Sequence, residues 1–458
     1  MEALNRFFKL KENGTDVRTE VIAGITTFMT MAYIIFVQPF ILKNAGMDEG
    51  AVMVATCVSS AIATILMGLW ARYPIALAPG MGENFFFAFT VVLGMRMNWE
   101  QALAAVLISG ILFLIISFLR VRHMLIEAIP DSIKYAIGAG IGIFIAFIGM
   151  KDMGLIIRND APDAIIMLGP IKQLPVVLGI IGLILTIALM VRRMKGAILI
   201  GIIFTYILFL LFGWVNFPTG GGQTLVSAPP SLAPVFFKFD FTNFFTLNFL
   251  VVVIIFLFMD LFDTTGTLIA VGARAGLLKD GKLERATPAF ASDAIGTVAG
   301  ACLGTSTVTS YIESAAGVES GGRTGLTSIV TAIFFLLAMF FAPIVKTIGG
   351  GFPLCIGGSA EPICNINPIL GPALVAVGAM MASALRKVDW DDYTVSIPAF
   401  LILITIPLTF SITDGLGIGF VALAILKLVK PDKDKPRPWL IYILGLLFIL
   451  RFALLPLT

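Results

Sequence analysis

Residues Phe245 to Gly272 read FTLNFLVVVIIFLFMDLFDTTGTLIAVG. The stretch is too continuously apolar for one face of a soluble helix, and it does not alternate as a half-buried strand would. It is long enough to cross a bilayer, which takes roughly 20 apolar residues at about 1.5 Å of rise each. Yet Asp260 and Asp263 stand inside it. A carboxylate in hydrocarbon is costly and calls for a partner, a ligand or a water-filled cavity. The stretch therefore predicts a membrane-spanning helix with one polar face.

The rest of the chain agrees. Of 458 residues, 58% are hydrophobic and only 13% are charged, whereas soluble domains carry about 25% charged residues. Only helices and closed barrels satisfy their backbone in lipid, and long continuous apolar runs favour helices over a barrel. The basic residues fall in short loops and no nucleic-acid motif is present, so no nucleic-acid partner is expected. No small-residue cleavage site follows an early apolar core, so the first spanning helix is expected to serve as the insertion signal. The only histidine is His123, beside Arg120 and Arg122, where it reads as a headgroup-level residue. The four cysteines, Cys57, Cys302, Cys355 and Cys364, lack metal-ligand spacing with it, so neither a metal nor a cofactor is expected. Cys57 reads as a small core residue.

Candidate spans lie at 20–42, 51–71, 74–94, 99–120, 130–149, 172–192 and 195–214, and then at 245–272, 286–303, 305–320, 325–345, 368–386, 393–412 and 414–430. The fold class is thus an all-α polytopic membrane protein of about 14 spans. A cytoplasmic segment 1–19 precedes them, a Gly-, Pro- and Ser-rich loop at 215–244 divides them, and a segment 431–458 follows. The last apolar stretch, 438–456, contains Arg451 and could lie in the interface instead of crossing. Numbering the loops alternately from inside puts Arg6, Arg72, Arg192, Arg193, Lys279, Arg285 and Arg386, among others, on one side. The other side holds only Lys43, Arg96, Lys151, Arg158, Lys172, Lys238 and Lys346. That bias predicts a cytoplasmic N-terminus in a plasma (inner) membrane.

The chain also looks doubled. An odd number of spans on either side of the central loop sets the halves 20–214 and 245–430 in opposite orientations, the inverted-repeat plan of many secondary transporters. The third span of each half is interrupted. In the first it reads Ala78-Pro79-Gly80-Met81-Gly82-Glu83-Asn84, and in the second Gly304-Thr305-Ser306-Thr307-Val308-Thr309-Ser310-Tyr311-Ile312-Glu313. Paired interruptions of this kind point to a midplane binding site.

Asp260, Asp263 and Thr267 share one helix face by their spacing. With Glu313 and Ser314 they supply carboxylates and hydroxyls to one polar surface, and Gly82, Glu83 and Asn84 flank it from the first half. A neutral heterocycle presents N–H donors and ring-nitrogen acceptors. Carboxylates accept from the former, and a protonated carboxyl can donate to the latter. Asp263 and Glu313 are the candidates for both substrate binding and proton coupling. Asp260, one turn away, could instead hold Asp263 in place. The plain alternative is that the acids lock helices together through basic partners, but lysines and arginines lie only near span ends. Phe85, Phe86, Phe87 and Phe89 read as packing. Cys355 and Cys364 share a loop on the outer side and could form a disulfide.

These stretches resemble the purine permeases of the azaguanine-resistance type, within the xanthine/uracil (nucleobase–ascorbate) permease superfamily. The resemblance is carried by Gly24-Ile25-Thr26-Thr27-Phe28 with Met31-Ala32-Tyr33, Ala78 to Gly82, Leu261 to Leu268, Gly304-Thr305-Ser306 with Tyr311 to Ser314, Gly322 to Gly325, and Asp389-Trp390-Asp391-Asp392. It implies a core and a gate domain, short strands in the third and tenth spans, and uptake of purine bases with protons by a homodimer. Carried over, the family's binding acids fall on Asp260, Asp263 and Glu313, and its third-span polar position on Asn84. Glu83 departs from the pattern, since a typical member carries an apolar residue there, usually leucine. The segment Gly349 to Asn367 looks longer than usual.

Two rival readings follow from the same residues. An anion transporter of this architecture would favour basic residues at the site, and the acids argue against it. An intramembrane aspartyl protease would use Asp260 and Asp263 with Pro372-Ala373-Leu374. Such an enzyme needs its aspartates on two helices, whereas these share one.

Overall fold

The computed structural model describes residues 2–119, 128–159, 165–216, 225–279, 282–354, 364–431 and 439–454. After the short α1 (Glu2–Phe8), α2 (Val17–Met31) starts at Asp16, whose carboxylate accepts from the Thr19 N–H at 2.8 Å. α3 (Ile34–Lys43) follows a break at Ala32 and Tyr33. The sequence reading ran 20–42 as one helix. Here the turn tightens, with Ile35 N–H bonded to the Ala32 carbonyl and Phe36 N–H to that of Tyr33. α4 (Glu49–Leu66) continues through a π-helical turn, Met67–Ala71. The third expected span holds β1 (Leu77–Pro79), α5 (Met81–Phe85) and a π-helical run, Phe86–Gly94. Next come α6 (Trp99–Phe118), α7 (Asp131–Asp152), the hairpin β2 (Ile156–Arg158) and β3 (Ile166–Leu168), α8 (Leu174–Val191) and α9 (Ala197–Leu211).

The second half opens with α10 (Leu247–Arg274), capped by the Thr246 hydroxyl, and a small hairpin of β4 (Leu278–Lys279) and β5 (Lys282–Leu283). α11 (Ala286–Leu303), β6 (Val308–Ser310) and α12 (Ser314–Glu319) follow. α13 (Gly325–Ala338) runs through a short 3-10 turn into α14 (Ala342–Ile348). β7 (Phe352–Leu354) and β8 (Cys364–Ile366) form a hairpin before α15 (Gly371–Ala382), α16 (Tyr393–Thr409), α17 (Ile412–Val429) and α18 (Trp439–Leu454). His123 and Cys355 lie outside the described residues, as does the side chain of Cys364, and with them the expected disulfide.

Among the described residues, eight helical segments are long and apolar enough to cross a membrane. Met81–Gly94, Ala197–Leu211 and Tyr393–Thr409 are apolar but shorter. α11 has the length but carries Ser292, Asp293 and Thr297, all fully buried. A helix enclosed by other helices need not be apolar. Arg451 in the last stretch is paired. Its guanidinium meets the Asp414 carboxylate at 2.6 Å, so α18 packs on α17 through a partly buried ion pair.

The helices pack in two groups. In one, α2 lies against α12 and α13, α4 against α11 and α13, and α6 against α10 and α11. In the other, α7 lies against α15 and α16, α8 against α9 and α15, and α16 against α17. The α7–α15 contact is backbone-close. A β-carbon built on Gly142 would lie 2.6 Å from that of Met381 and 2.8 Å from the Gly378 carbonyl oxygen. Small residues let helices approach in this way where lipid offers no hydrophobic drive between them.

α4 fixes the two ends of the bundle. Its start packs Gly50 on Pro230 and Glu49 on Gly349, so the central loop and the β7–β8 hairpin lie at one end. Its far end leads to Tyr73, whose hydroxyl donates to the Glu284 carbonyl beside the β4–β5 hairpin. The segments that the charge count assigned to opposite sides thus lie at opposite ends.

Candidate functional site

The two interrupted segments meet in the middle of the first group. β1 and β6 pair antiparallel, with Leu77 opposite Ser310, Ala78 opposite Thr309 and Pro79 opposite Val308. Pro79 cannot donate and Gly80 follows it, which disfavours a continuous helix here. The bare backbone groups find partners across the crossing instead. Gly80 N–H donates to the Thr307 carbonyl and Tyr311 N–H to that of Ala76, both at 3.0 Å. The Tyr311 hydroxyl donates to the Pro79 carbonyl at 2.5 Å. Gly80 has no room for a side chain, because the Thr309 methyl would lie 2.7 Å from its β-carbon and the Glu83 carboxylate closer still.

Asp263 and Glu313 lie beside each other at this crossing. Asp263 is ringed by protein yet exposed, and Glu313 is partly exposed, so the two form the floor of a crevice. The exposed face of α10 runs from Asp263 through Gly266 and Ala270 to Arg274, one helical stripe. That stripe ends at Arg274, which is bridged to Glu319 at 3.0 Å. The Tyr33 hydroxyl donates to Glu313 Oε1 at 2.8 Å. Among the described residues, no lysine or arginine forms a salt bridge with either acid.

The other expected site residues are buried. Asp260 turns from Asp263 and accepts from the Thr297 hydroxyl at 2.9 Å. Thr267 is buried on the same helix. Asn84 is engaged within the protein, its amide donating to the Pro79 carbonyl at 3.4 Å and its oxygen accepting from Ser306. Ser314 accepts from the Ala76 N–H at 3.0 Å and so holds the approach to β1. Gly82 faces Ile141 and Met259. Glu83, 2% exposed, folds back toward Gly80 and its own backbone N–H. A carboxylate in a first helical turn satisfies donors that the helix leaves free. The Phe cluster is packing, with Phe85 stacked on Phe89 and Phe86 edge-on to Phe256.

Sequence reasoning missed Asp293. It lies fully buried on α11, where Ser310 donates to its Oδ2 at 2.7 Å. The signal was available, since it is an acid within the expected span 286–303. Tyr33 was visible only as part of a motif, and its reach to Glu313 depends on the break between α2 and α3.

A family model described as Permease family (Xan_ur_permease) matches residues 18–418. The chain belongs to that family. The permease is 43% identical over 463 residues to the guanine/hypoxanthine permease PbuG of Bacillus subtilis, covering 99% of this chain and all of that one. It is 41% identical to the adenine permease AdeP of Escherichia coli, covering 98% of this chain and 96% of that one. The purine-permease resemblance read from the motifs is thereby established. The permease is an integral membrane transporter and not an enzyme, which removes the protease reading. Its fold is shared by the transmembrane domain of the cyanobacterial bicarbonate transporter BicA, at a TM-score of 0.57 and 13% identity over 91% of this chain and 97% of that one. SLC26A9 gives a TM-score of 0.58 at 10% identity over 95% of this chain and 69% of that one. Likeness at such identity concerns the fold alone.

Proposed function

We propose that the permease imports purine nucleobases by cation symport, the cation being a proton, with alternating access. The observation that carries this is the pairing of Asp263 and Glu313 on the floor of a crevice deep in the protein. Two carboxyls at that spot can accept from the N–H edge of a purine and, when protonated, donate to a ring nitrogen. Their load of protons and of base is then coupled at one place. The anion-transporter reading gains from the fold it shares with BicA and SLC26A9, but acids without basic partners would repel an anion. Relatives named as guanine/hypoxanthine and adenine permeases favour a purine.

The proposed layout has about 14 crossings in two inverted halves, 20–214 and 245–430, with the loop 215–244 between them. The first packing group is the core domain and the second the gate. The N-terminus is cytoplasmic in the inner membrane, the crevice faces inward, and two copies form a homodimer. Asp263 and Glu313 contact the base, and Asn84, Gly82, Ser314 and Thr267 shape its surroundings.

Cells expressing the permease should accumulate labelled hypoxanthine, with unlabelled guanine or adenine competing and a protonophore abolishing the gradient. Glu313→Gln and Asp263→Asn should each abolish concentrative uptake while folded protein remains in the membrane. Normal accumulation in both variants would refute the assignment.

A further inference from the structure

A second group of acids lies behind the crevice, and the function above does not use it as a unit. Asp260 on α10 and Asp293 on α11 are 1% and 0% exposed. The two carboxyls lie side by side. In each, Oδ2 takes a hydroxyl donor, Thr297 for Asp260 and Ser310 for Asp293. In each, Oδ1 is buried with no donor. Two ionised carboxylates cannot hydrogen-bond, and side by side in a buried site they repel. One proton held between them removes the repulsion and gives both a partner.

The pair also connects to the crevice. The Thr264 hydroxyl lies beside Asp293 and 2.9 Å from the Thr309 hydroxyl. The Thr309 hydroxyl in turn lies beside Asp263. Asp260, Asp293, Thr264, Thr309 and Asp263 therefore form a line joined by four contacts. The two threonine hydrogens and one proton on the pair close three of the four at any moment.

We propose that Asp260 and Asp293 form a proton-holding pair, joined to Asp263 at the base site by the hydroxyls of Thr264 and Thr309. The inference rests on the proton-symport reading and assigns it a proton store separate from the base-binding acids. The transfer balances. Asp293 gives its proton to Thr264, Thr264 gives its own to Thr309, and Thr309 gives its own to an ionised Asp263. Each hydroxyl ends neutral, the pair has lost one proton, and Asp263 has gained one. From Asp263, on the crevice floor, the proton passes to water. The charged groups facing the pair are Glu83 from α5 and Asp263 on α10. Among the described residues no lysine or arginine forms a salt bridge with it. A proton shared by the two carboxyls removes one of the two charges.

The test uses the full chain in proteoliposomes, with labelled hypoxanthine, an imposed pH gradient, and a separate exchange assay against internal unlabelled hypoxanthine. For Asp293→Asn, exchange should persist while gradient-driven accumulation falls about tenfold or more, the scale of a typical coupling between sites. Thr264→Val should slow accumulation and leave exchange intact, and Thr264→Ser should restore it. These threonine variants keep the question open to refutation where Asp293→Asn fails to fold. Wild-type accumulation by Asp293→Asn would overturn the pair, as would loss of exchange and accumulation together in folded protein. Accumulation by Thr264→Val at the wild-type rate would overturn the connection. A wild-type protein driven by sodium and not by protons would overturn the symport reading and this inference at once.

Discussion

Tyr33 and Glu313 meet hydroxyl to carboxylate at 2.8 Å although 280 residues separate them in the chain. The tyrosine stands at the break between α2 and α3, and the acid stands at the start of α12. The contact ties the two halves together at the crevice floor. It fixes which way one base-facing carboxyl points.

Tyr33→Phe removes that bond and the hydroxyl's contact with Tyr311. A hydrogen bond to a charged group contributes about 1.5–3 kcal/mol, which corresponds to roughly tenfold or more in affinity. The half-saturating concentration of hypoxanthine should rise by that factor, with the amount of protein in the membrane unchanged. An unaltered half-saturation would show that Glu313 is oriented without Tyr33.

Glu83→Leu restores the family's usual pattern at the start of α5. Glu83 lies against Gly80 and acts on Asp260 and Asp263 through space, but it does not face the crevice. The order in which guanine, adenine and hypoxanthine compete should therefore hold, while the pH dependence of uptake should change. A changed order of bases would place Glu83 in direct contact with substrate. No change in either would leave it as a helix-start substitution.

Gly142→Val should destabilise the contact between α7 and α15. Overpacking a tight contact costs about 1–3 kcal/mol, and here the obstacle is the backbone carbonyl of Gly378. Gly138→Ala is the internal control, because a β-carbon there meets nothing within 4 Å. Thermal unfolding in detergent should fall for the first and stay level or rise for the second. Equal stability of both would mean that the helices can separate without cost.

Arg451→Met should loosen α18 from α17. The pair with Asp414 is partly buried, at 12% and 30% side-chain exposure. Its loss should fall between about 1 kcal/mol for an exposed pair and about 3–5 kcal/mol for a buried one. The double variant with Asp414→Asn should lose less than the sum of the two single changes. Additive losses would show that the two residues do not interact.

The amino-acid composition places this chain in a membrane, because 58% hydrophobic residues in long continuous runs leave no other solvent for it. The order of residues specifies the two interruptions as well. Pro79 with Gly80 in one half, and the run of Thr and Ser in the other, disfavour a continuous helix through their own backbone and side-chain chemistry. It marked Asp260, Asp263 and Glu313, because an acid within an apolar run carries its cost wherever the helix packs. The motifs then named the family.

The tertiary structure alone divided the acids by role. Asp260 and Asp263 share one helix face by spacing, yet Asp263 looks into the crevice and Asp260 turns toward Asp293 on a neighbouring helix. Spacing along a helix says which side chains are neighbours on it. It does not say what packs against them. The same reason hid Tyr33 from a reading of the chain, since its partner comes from the other half. Asn84 was legible as a polar residue beside the site, but only the pairing of β1 with β6 shows its amide already taken by Pro79 and Ser306. Bonds within one helix follow from sequence spacing. Bonds between segments 200 residues and more apart, such as that of Asn84 with Ser306 across 222 positions, exist only once the halves have packed.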